Sequence, residues 1–389
     1  MIKLTNKNKC SGCSACESIC PKKCISLKRD YEGFAYINID KSECVNCGLC
    51  EKVCPFLNSK ASNIEKCYAM WNSNEEIRFK SSSGGAFSYF AEKILHKGGV
   101  VFGAKFNENW ELYHDYTETI EGLEEFRGSK YVQSNMSGVM PKIKEFLDSG
   151  RQVLFCGTPC QVTGLKLFLR KEYENLLTID FICHGVPSPK VWAKYLEEFR
   201  NRLPQNHIIS NISFRDKTNG WENYQFKITL NDQQSANSDK VSYYTESPSS
   251  NLYMKAFLSD LALRPSCYKC KMRKKRTLSD LTICDFWYCY KSHPEMNDNK
   301  GVSGIIVRNK KVFDLIDSSF VEVNYEEILI PNQSLEYSPI YHYRRNRFFK
   351  RIDMMNIYDN INRNYKSSTI QNIVRFSHRV IRYFKKKIK

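Results

Sequence analysis

Short apolar runs alternate with helix-spaced apolar positions along most of the chain beyond residue 66. The runs that predict strands lie at 68–71, 99–103, 152–156 and 176–183. Between them, apolar side chains that recur every three or four positions predict helices near 87–95 and 139–149, and another that begins near Gln161. A more polar region beyond them contains two further predicted strands, 208–214 and 224–230. Strands that alternate with helices predict an α/β catalytic domain with a mixed sheet, whose ligands bind at the turns that follow the strands.

The first sixty residues are organised differently, because they contain the one internal repeat that the sequence shows. A motif with the spacing C-x2-C-x2-C-x3-C-P occurs at 10–21 and again at 44–55. Three thiolates spaced in this way can converge on one 4Fe–4S cube, and the fourth cysteine, before proline, reaches the other cube. The expected ligands are Cys10, Cys13, Cys16 and Cys54 for the first cluster and Cys44, Cys47, Cys50 and Cys20 for the second.

Zinc is the alternative for this segment, because CxxC pairs also form tetrahedral thiolate sites. Zinc sites need neither the triple cysteine run nor the trailing Cys-Pro, and both features occur twice here. Cys24 has no ligand position in this scheme, and we expect it to be a small buried residue close to a cluster. Residues 1–62 are therefore predicted to form an α+β ferredoxin-like domain that transfers electrons.

The net charge of +17 is concentrated at the C-terminal end of the chain. Residues 341–389 contain fourteen Lys and Arg and two Asp, which leaves a charge of only +5 for the first 340 residues. This balance argues against a body that binds nucleic acid. The apolar residues of the tail share one helical face: Ile370, Ile373, Val374, Ile381, Phe384 and Ile388. We predict a basic helical tail that either makes a peripheral contact with an anionic membrane surface or packs against the body.

The sequence also predicts a compartment. No apolar run approaches the ~18 residues that a membrane-spanning helix requires. The first residues lead directly into the cysteine motif, without the apolar core of a signal peptide. We therefore expect a cytoplasmic protein. In that reducing compartment the 17 cysteines are expected to be metal ligands or redox groups, and disulfides are not expected.

Four more cysteines lie at or beyond the ends of predicted strands. Cys160 belongs to GTPCQ, between a strand and a helix, and Cys183 ends the next strand in DFICHG. Cys267 and Cys270 form a CxxC pair in RPSCYKC. Together these thiols would make a four-thiolate metal site. Alternatively, Cys160 and Cys183 are core residues and the CxxC pair is half of a zinc site.

Two polar loops are candidates for a cofactor site. The run SSSGG at 81–85 leads into a helix, so its hydroxyl and N–H groups suit a phosphate, although an ordinary helix N-cap explains it equally well. The run GSKYVQS at 128–134 offers Lys130, an aromatic ring and amide donors, which suit a flavin or a plain surface loop. His184, beside Cys183, could donate a proton to a reduced product or simply bond to the backbone.

Taken together, these motifs resemble the family of beta subunits of coenzyme F-420 hydrogenases and dehydrogenases, in the bacterial form with an N-terminal ferredoxin domain that is often associated with polysaccharide loci. The resemblance runs from residue 1 to about 325, through the double cysteine motif, SSSGG, GSKYVQS, GTPCQ, CHG and RPSCYKC with SDLTICDFW. It implies an FAD-containing oxidoreductase with a third 4Fe–4S cluster at Cys160, Cys183, Cys267 and Cys270. It also implies flavin contacts by Ser82, Ser83, Gly84, Gly85, Lys130 and Thr158.

The predicted domains are the ferredoxin-like domain at 1–62, the two parts of the hydrogenase-beta-like domain at 63–150 and 151–325, and the tail at 341–389. The predicted function is transfer of electrons from a low-potential donor, such as ferredoxin, through the clusters to FAD and on to a two-electron small-molecule substrate. Flavin is required because clusters exchange single electrons, whereas flavins also exchange a hydride. The alternative is a non-catalytic electron-carrier subunit that feeds a partner enzyme.

Overall fold

The computed structural model describes residues 2, 3, 6–204, 206–232, 241–367, 369 and 373. Within these ranges the chain forms a small cysteine-rich segment, a large mixed sheet with helices packed on both faces, and a separate three-stranded sheet. This mixed α/β architecture is the one that the alternation of strands and helices predicted.

One hairpin and three single-turn helices make up the cysteine-rich segment. Its elements are α1 (Ala15–Ser18), β1 (Ile25–Arg29), β2 (Ala35–Ile39), α2 (Leu49–Lys52) and α3 (Pro55–Asn58). β1 and β2 pair antiparallel. Each cysteine motif enters its first short helix through a residue with a left-handed backbone, Ser14 in the first motif and Gly48 in the second. The repeat in the sequence is therefore also a repeat in backbone conformation.

Eleven more strands and nine more helices follow within the described ranges. The strands are β3 (Lys66–Met70), β4 (Val100–Phe106), β5 (Leu112–Thr117), β6 (Val153–Gly157), β7 (Leu176–Phe181), β8 (His207–Asp216), β9 (Gln225–Asp232), β10 (Val241–Glu246), β11 (Leu281–Asp285), β12 (Ser303–Val307) and β13 (Val321–Val323). The helices are α4 (Glu75–Lys80), α5 (Ala86–Leu95), α6 (Val139–Asp148), α7 (Pro159–Leu169), α8 (Pro189–Arg200), α9 (Leu252–Leu258), α10 (Tyr325–Leu329), α11 (Arg345–Lys350) and α12 (Ile357–Asn364).

Eight strands form the large sheet, in the order β13-β3-β12-β11-β7-β6-β4-β5. β4, β6, β7 and β11 are parallel neighbours, whereas β5, β12 and β13 run antiparallel to the strands beside them. The four strands predicted between residues 68 and 183 correspond to β3, β4, β6 and β7. The two strands predicted in the polar region are β8 and β9, which pair with β10 in the smaller sheet. The carboxyl ends of β6, β7 and β11 therefore meet at one edge of the large sheet.

Each face of the large sheet has its own hydrophobic core, because side chains alternate between the faces along a strand. Val101 and Leu154 belong to the core on which α5 packs through Phe90. Val153 and Phe155 belong to the opposite core, which α6 and α7 cover. Because both faces of β6 are buried, side chains on both faces must be apolar. This explains why β6 is a continuous apolar run in the sequence.

The cysteine-rich segment is built into the second of these cores. Cys13, Ala15 and Val53 are buried with the side chains of α6 and α7. The approach to α7 is so close that a Cβ on Gly164 would lie 3.0 Å from the Cys13 Sγ. The segment is therefore fixed against the large sheet by close packing between the first cysteine loop and α7.

Two buried arginines also join the cysteine-rich segment to the rest of the chain. Arg345 binds both carboxylate oxygens of Glu32, at 2.9 and 2.6 Å, and donates to the carbonyl oxygen of Leu263. Arg264 donates to the carbonyl oxygens of Cys10 and Ala35, each at 2.8 Å. Both side chains are almost completely excluded from solvent, so these contacts must offset the cost of removing two charges from water.

The start of the predicted tail packs against the body. Phe348 and Phe349 of α11 and Ile357 and Ile361 of α12 are buried in the largest hydrophobic core. The basic helix predicted from Ile370, Ile373, Val374, Ile381, Phe384 and Ile388 lies outside the described residues apart from Ile373. Within the described ranges, no helix combines the length and the hydropathy needed to span a bilayer.

The pair between Glu32 and Arg345 can be tested by removing one partner. We expect Arg345→Met to lower the free energy of unfolding by about 3–5 kcal/mol, because it leaves a carboxylate buried without its cation. Urea denaturation under anaerobic conditions measures the change. The double variant Glu32→Leu/Arg345→Met should recover most of the loss, since no charge is then left buried. If the double variant lost as much free energy of unfolding as the two single variants together, this account would be wrong.

Candidate iron–sulfur centres and cofactor site

The first cysteine group consists of Cys10, Cys13, Cys16 and Cys54. Burial is the main cause that raises the pKa of Cys13 to about 12, and the nearby thiols of Cys160, Cys54 and Cys10 contribute to this increase. Burial also raises the pKa values of Cys16 and Cys54, and Cys10 adds to both. Four thiolates so close together and so well buried are stable only around a cationic centre, which is the requirement that metal binding meets.

The second cysteine group consists of Cys20, Cys44, Cys47 and Cys50. All four line one cavity. Cys24 lines the same cavity, where its Sγ lies 3.3 Å from that of Cys20. Cys24 is buried, as the sequence predicted. Cys47 is exposed, so this group lies nearer to the surface than the first.

The fourth cysteine of each motif is exchanged between the two groups. Cys54 ends the second motif, but its thiol neighbours Cys10 of the first. Cys20 ends the first motif, but it lines the cavity of Cys44 and Cys47. The spacing of the motifs predicted this exchange, and a pair of 4Fe–4S clusters requires it.

A third group forms at the edge of the large sheet. Cys160 lies in the first turn of α7, Cys183 follows β7, and Cys267 and Cys270 lie in and just after a 3-10 helix at Pro265–Lys269. All four line one cavity, which is partly open to solvent. Burial raises the pKa of Cys267 to about 12 and that of Cys183 far above its usual value. The four thiols that the sequence singled out therefore share one site.

The lining of this cavity fits an anionic cluster. Four cationic side chains line it: Arg264, Arg273, Lys275 and Arg308. Within the described part of the chain, the buried Nε atoms of Arg273 and Arg308 have no hydrogen-bond partner. A 4Fe–4S cluster with four thiolates carries net negative charge, and its sulfurs accept hydrogen bonds. Both the surplus of positive charge and the free donors are features that such a cluster uses.

A single metal ion fits this cavity less well. Among the residues that the structure describes, no three His, Cys, Asp or Glu side chains converge on a point where one ion could bind. A 4Fe–4S cluster places each thiolate on a different iron, so its ligands do not need to meet at one point. A single zinc ion at the CxxC pair would therefore lack a third protein ligand among the described residues.

The first and third groups are neighbours. The thiols of Cys13 and Cys160 lie close enough for each to influence the other electrostatically. Ser11, from the first cysteine loop, and Phe56, from α3, line the third cavity. The second group shares no lining residue with that cavity. The three groups therefore follow one another from the exposed Cys47 to the edge of the large sheet.

The loop SSSGG lies across the ends of β3 and β12. The N–H of Gly84 donates to the Ser303 hydroxyl at 3.0 Å, and a Cβ on Gly84 would lie 2.5 Å from the Met70 carbonyl oxygen. Gly85 has a φ of +91° and forms the N-cap of α5. The two glycines thus have structural roles in the close approach of loop and sheet, whatever ligand the loop holds.

The two predicted flavin loops are in contact. The Ser82 hydroxyl accepts hydrogen bonds from the N–H and the hydroxyl of Ser129, at 2.6 and 2.8 Å. The next residue, Lys130, donates to the Arg127 carbonyl oxygen at 2.9 Å. Burial lowers the pKa of Lys130 to about 8, because the described residues around its ammonium group do not compensate the cost of desolvation. Ser82 and Lys130 therefore belong to one polar site next to the N-terminus of α5.

Ser83 and Thr158 are largely occupied by bonds within the protein. The Ser83 hydroxyl donates to the Val302 carbonyl oxygen at 2.7 Å. Thr158 is the N-cap of α7 and forms a capping box with Gln161. Its hydroxyl also lies 3.2 Å from the Cys160 Sγ, which places Thr158 between the third cysteine group and the sheet edge. This N-cap orients the first turn of α7, which carries Cys160.

His184 forms a hydrogen bond with a residue that sequence reasoning missed. Its Nε2 lies 2.6 Å from the carboxylate of Asp260, which is buried. The ring packs edge-on against Phe257 and remains about one third exposed, at 36% of the side chain. Asp260 lies in no motif and far from His184 in sequence, so only the tertiary structure reveals it.

A buried polar cluster beside the loops was also missed, apart from Asp285, which belongs to the motif SDLTICDFW. Arg215 pairs with Asp285 at 2.6 Å, and the Trp221 indole donates to the same carboxylate. Lys217 donates to the carbonyl oxygen of Ser83, and burial lowers the pKa of this lysine to about 7. One feature of the sequence could have indicated this cluster. Arg215 and Lys217 are two positions apart at the end of a predicted strand, a spacing that places both side chains on one face.

Comparison with protein families supports two parts of this architecture. Residues 67–141 and 150–328 match the N-terminal and C-terminal parts of the coenzyme F420 hydrogenase/dehydrogenase beta subunit. Residues 9–58 match a 4Fe-4S dicluster domain. The matches cover the cysteine-rich segment and most of the large sheet.

Individual relatives are more distant. The chain is 26% identical over 188 residues to a subunit of the F(420)H(2) dehydrogenase of Methanosarcina mazei, across 45% of this chain and 53% of that protein. The chain therefore spans about half the length of this relative. It is also similar to a chain in the F420-reducing [NiFe] hydrogenase complex from Methanosarcina barkeri, at 16% identity and a TM-score of 0.46, over 78% of this chain and 91% of that chain.

The close approach at Gly84 gives a testable prediction. We expect Gly84→Ala to lower the thermal unfolding midpoint, because the added methyl group must displace the backbone of β3 or β12. Ser82→Ala is the matched control, since it removes a hydroxyl in the same loop without adding an atom there. Differential scanning calorimetry compares the two. Equal midpoints for Gly84→Ala and the wild type would show that the loop is not held as tightly as described.

Proposed function

Because this chain belongs to the family of coenzyme F420 hydrogenase/dehydrogenase beta subunits and carries a 4Fe-4S dicluster domain, we propose that it is an iron–sulfur flavoprotein oxidoreductase. Electrons pass from a low-potential donor, such as ferredoxin, through 4Fe–4S clusters to FAD and on to a two-electron small-molecule substrate. One observation supports this above all: Cys160, Cys183, Cys267 and Cys270 line one cavity beside the first cysteine group.

The proposed route runs inward from the surface. The second group receives electrons from the donor, because Cys47 is exposed. The first group is more deeply buried and passes them on. Cys160 brings the third group close to Cys13, so the third group receives the electrons from the first. The polar loops at the sheet edge then hold the flavin.

The residues that hold FAD in this proposal are Ser82, Ser83, Gly84, Gly85, Lys130 and Thr158. FAD supplies the exchange between one-electron and two-electron chemistry that clusters alone cannot perform. The N-terminus of α5 and the hydroxyl of Ser82 offer donors to a phosphate or ring oxygen. Lys130 contributes the positive charge, since its buried ammonium group gains most from an anionic partner.

His184 is the proposed proton donor to the reduced substrate. Its Nε2 is hydrogen-bonded to the carboxylate of Asp260, which orients the ring. The other ring nitrogen, Nδ1, is then the atom that delivers the proton. Partial exposure of the ring allows it to be reprotonated from solvent.

A second function has one observation in its favour. The relative from Methanosarcina mazei is described as part of a dehydrogenase with several subunits, so this chain could serve as an electron-carrier subunit that delivers electrons to a partner enzyme. The clusters would have the same role in both cases. The two functions differ in whether this chain itself holds a flavin beside the third group.

Iron and sulfide analysis of protein purified without oxygen tests the third cluster. We expect about 12 iron atoms per chain in the wild type and about 8 in Cys183→Ala, because each cluster contains four. Cys284→Ala is the matched control, since this thiol lines neither cysteine cavity. It should retain the iron content of the wild type. A wild-type value near eight would leave only the two clusters of the cysteine-rich segment.

Flavin binding is tested by equilibrium dialysis of the anaerobic protein with FAD. We expect Lys130→Ala to weaken FAD binding by about tenfold or more, the equivalent of one charge-assisted hydrogen bond. Lys142→Ala, on an exposed part of α6, should bind FAD like the wild type. A wild-type protein with intact clusters and no affinity for FAD would instead identify an electron-carrier subunit.

A further inference from the structure

Arg264 occupies the boundary between the first cysteine group and the third. Arg264 is completely buried, and it directly precedes the 3-10 helix that carries Cys267. The guanidinium reaches back into the first cysteine loop, where Nη2 lies 3.7 Å from the Cys10 Sγ and Nε donates to the Cys10 carbonyl oxygen. One side chain thus contacts a proposed ligand of the first cluster while its own backbone leads into the third site.

The guanidinium is held rigidly in this place. Nη1 donates to the Gln133 side-chain oxygen at 2.9 Å, and Nη2 donates to the Ala35 carbonyl oxygen at 2.8 Å. The ring of Tyr36 lies against the guanidinium at 4.3 Å. With acceptors on three sides and an aromatic ring on its face, the cation has little freedom to move away from the Cys10 thiol.

Its charge acts on both sites. Arg264 lines the third cavity, and it stabilises the thiolate forms of Cys160 and Cys267 electrostatically. The cavity of the second group has no arginine among its lining residues within the described ranges, and the one lysine that lines it there, Lys22, is exposed. A fixed buried cation is screened far less than an exposed one.

We propose that Arg264 is a positioning residue that raises the reduction potential of the first cluster above that of the second, so that electrons move inward. Reduction adds one negative charge to a cluster, and a buried cation with an N–H···S bond stabilises that charge. This inference rests on the proposed function, because it requires iron–sulfur clusters at the two cysteine groups. It needs neither a flavin nor a third cluster.

Redox titration followed by electron paramagnetic resonance, on full-length protein purified without oxygen, tests the proposal. At a fixed potential we expect Arg264→Met to lower the ratio of reduced to oxidised first cluster about tenfold relative to the wild type, which corresponds to a shift of 59 mV for one electron. The second cluster should titrate as before. Arg264→Lys keeps the charge without the fork of donors, and we expect an intermediate shift.

The double variant Glu32→Leu/Arg345→Met is the matched control. Arg345 is the other buried arginine that holds the cysteine-rich segment, but its partners are Glu32 and a backbone carbonyl, without a contact to a cysteine. Because the double variant leaves no unpaired buried charge, it should leave both potentials unchanged. Equal shifts in Arg264→Met and in this double variant, or unchanged potentials in both Arg264 variants with full iron content, would overturn the proposal.

The remaining outcomes are also decisive. If both Arg264 variants lose the iron of the first cluster while the double variant Glu32→Leu/Arg345→Met keeps it, Arg264 serves packing only and the proposal is wrong. If the wild-type protein contained about eight iron atoms and no flavin, the proposed function would be wrong. The comparison between the first and second clusters would still stand, so the two ideas fail separately.

Discussion

The burial of Arg264 is the constraint on which the arrangement of the cysteine groups depends. An arginine side chain stays protonated in proteins, so a buried one must find acceptors for its N–H groups. Here the acceptors come from the first cysteine loop and from Gln133, on opposite sides of the junction. If the cysteine-rich segment moved away from the sheet, that charge would be exposed to solvent or would remain buried without its acceptors. The junction is therefore fixed by electrostatics as well as by packing.

Packing at the same junction is equally restrictive. Gly164 of α7 has no side chain where the Cys13 thiol approaches, and Cys13 itself is part of the core beneath the large sheet. A cysteine loop that is at once a ligand loop and a core element cannot shift without disturbing both. This dual use explains how a segment with such a small core of its own keeps a defined position.

Positive charge increases from the outer cysteine group to the inner one. The cavity of the second group is lined by one exposed lysine, whereas Arg264, Arg273 and Arg308 line that of the third. Negative clusters are better stabilised where buried cations surround them. The same reasoning applies at the sheet edge, where burial of Lys130 lowers its pKa and favours an anionic ligand beside it.

Local spacing in the sequence determined much of this protein. The grouping of the eight N-terminal cysteines into two sets follows from gaps of two and three residues, because so short a chain cannot place these thiols elsewhere. Strands β3, β4, β6 and β7 follow from continuous apolar runs, since both faces of each are buried. The exchange of Cys20 and Cys54 was predictable for the same reason.

Only the tertiary structure decided what lies between the motifs. The order of strands brings the loop after β7 to the CxxC pair that lies about eighty residues later in the chain. The spacing of these cysteines in the sequence does not indicate that they are close in space. Asp260 beside His184 and Arg264 beside Cys10 are likewise products of chain topology. Contacts across long sequence separations depend on how whole elements pack, because no local propensity encodes them.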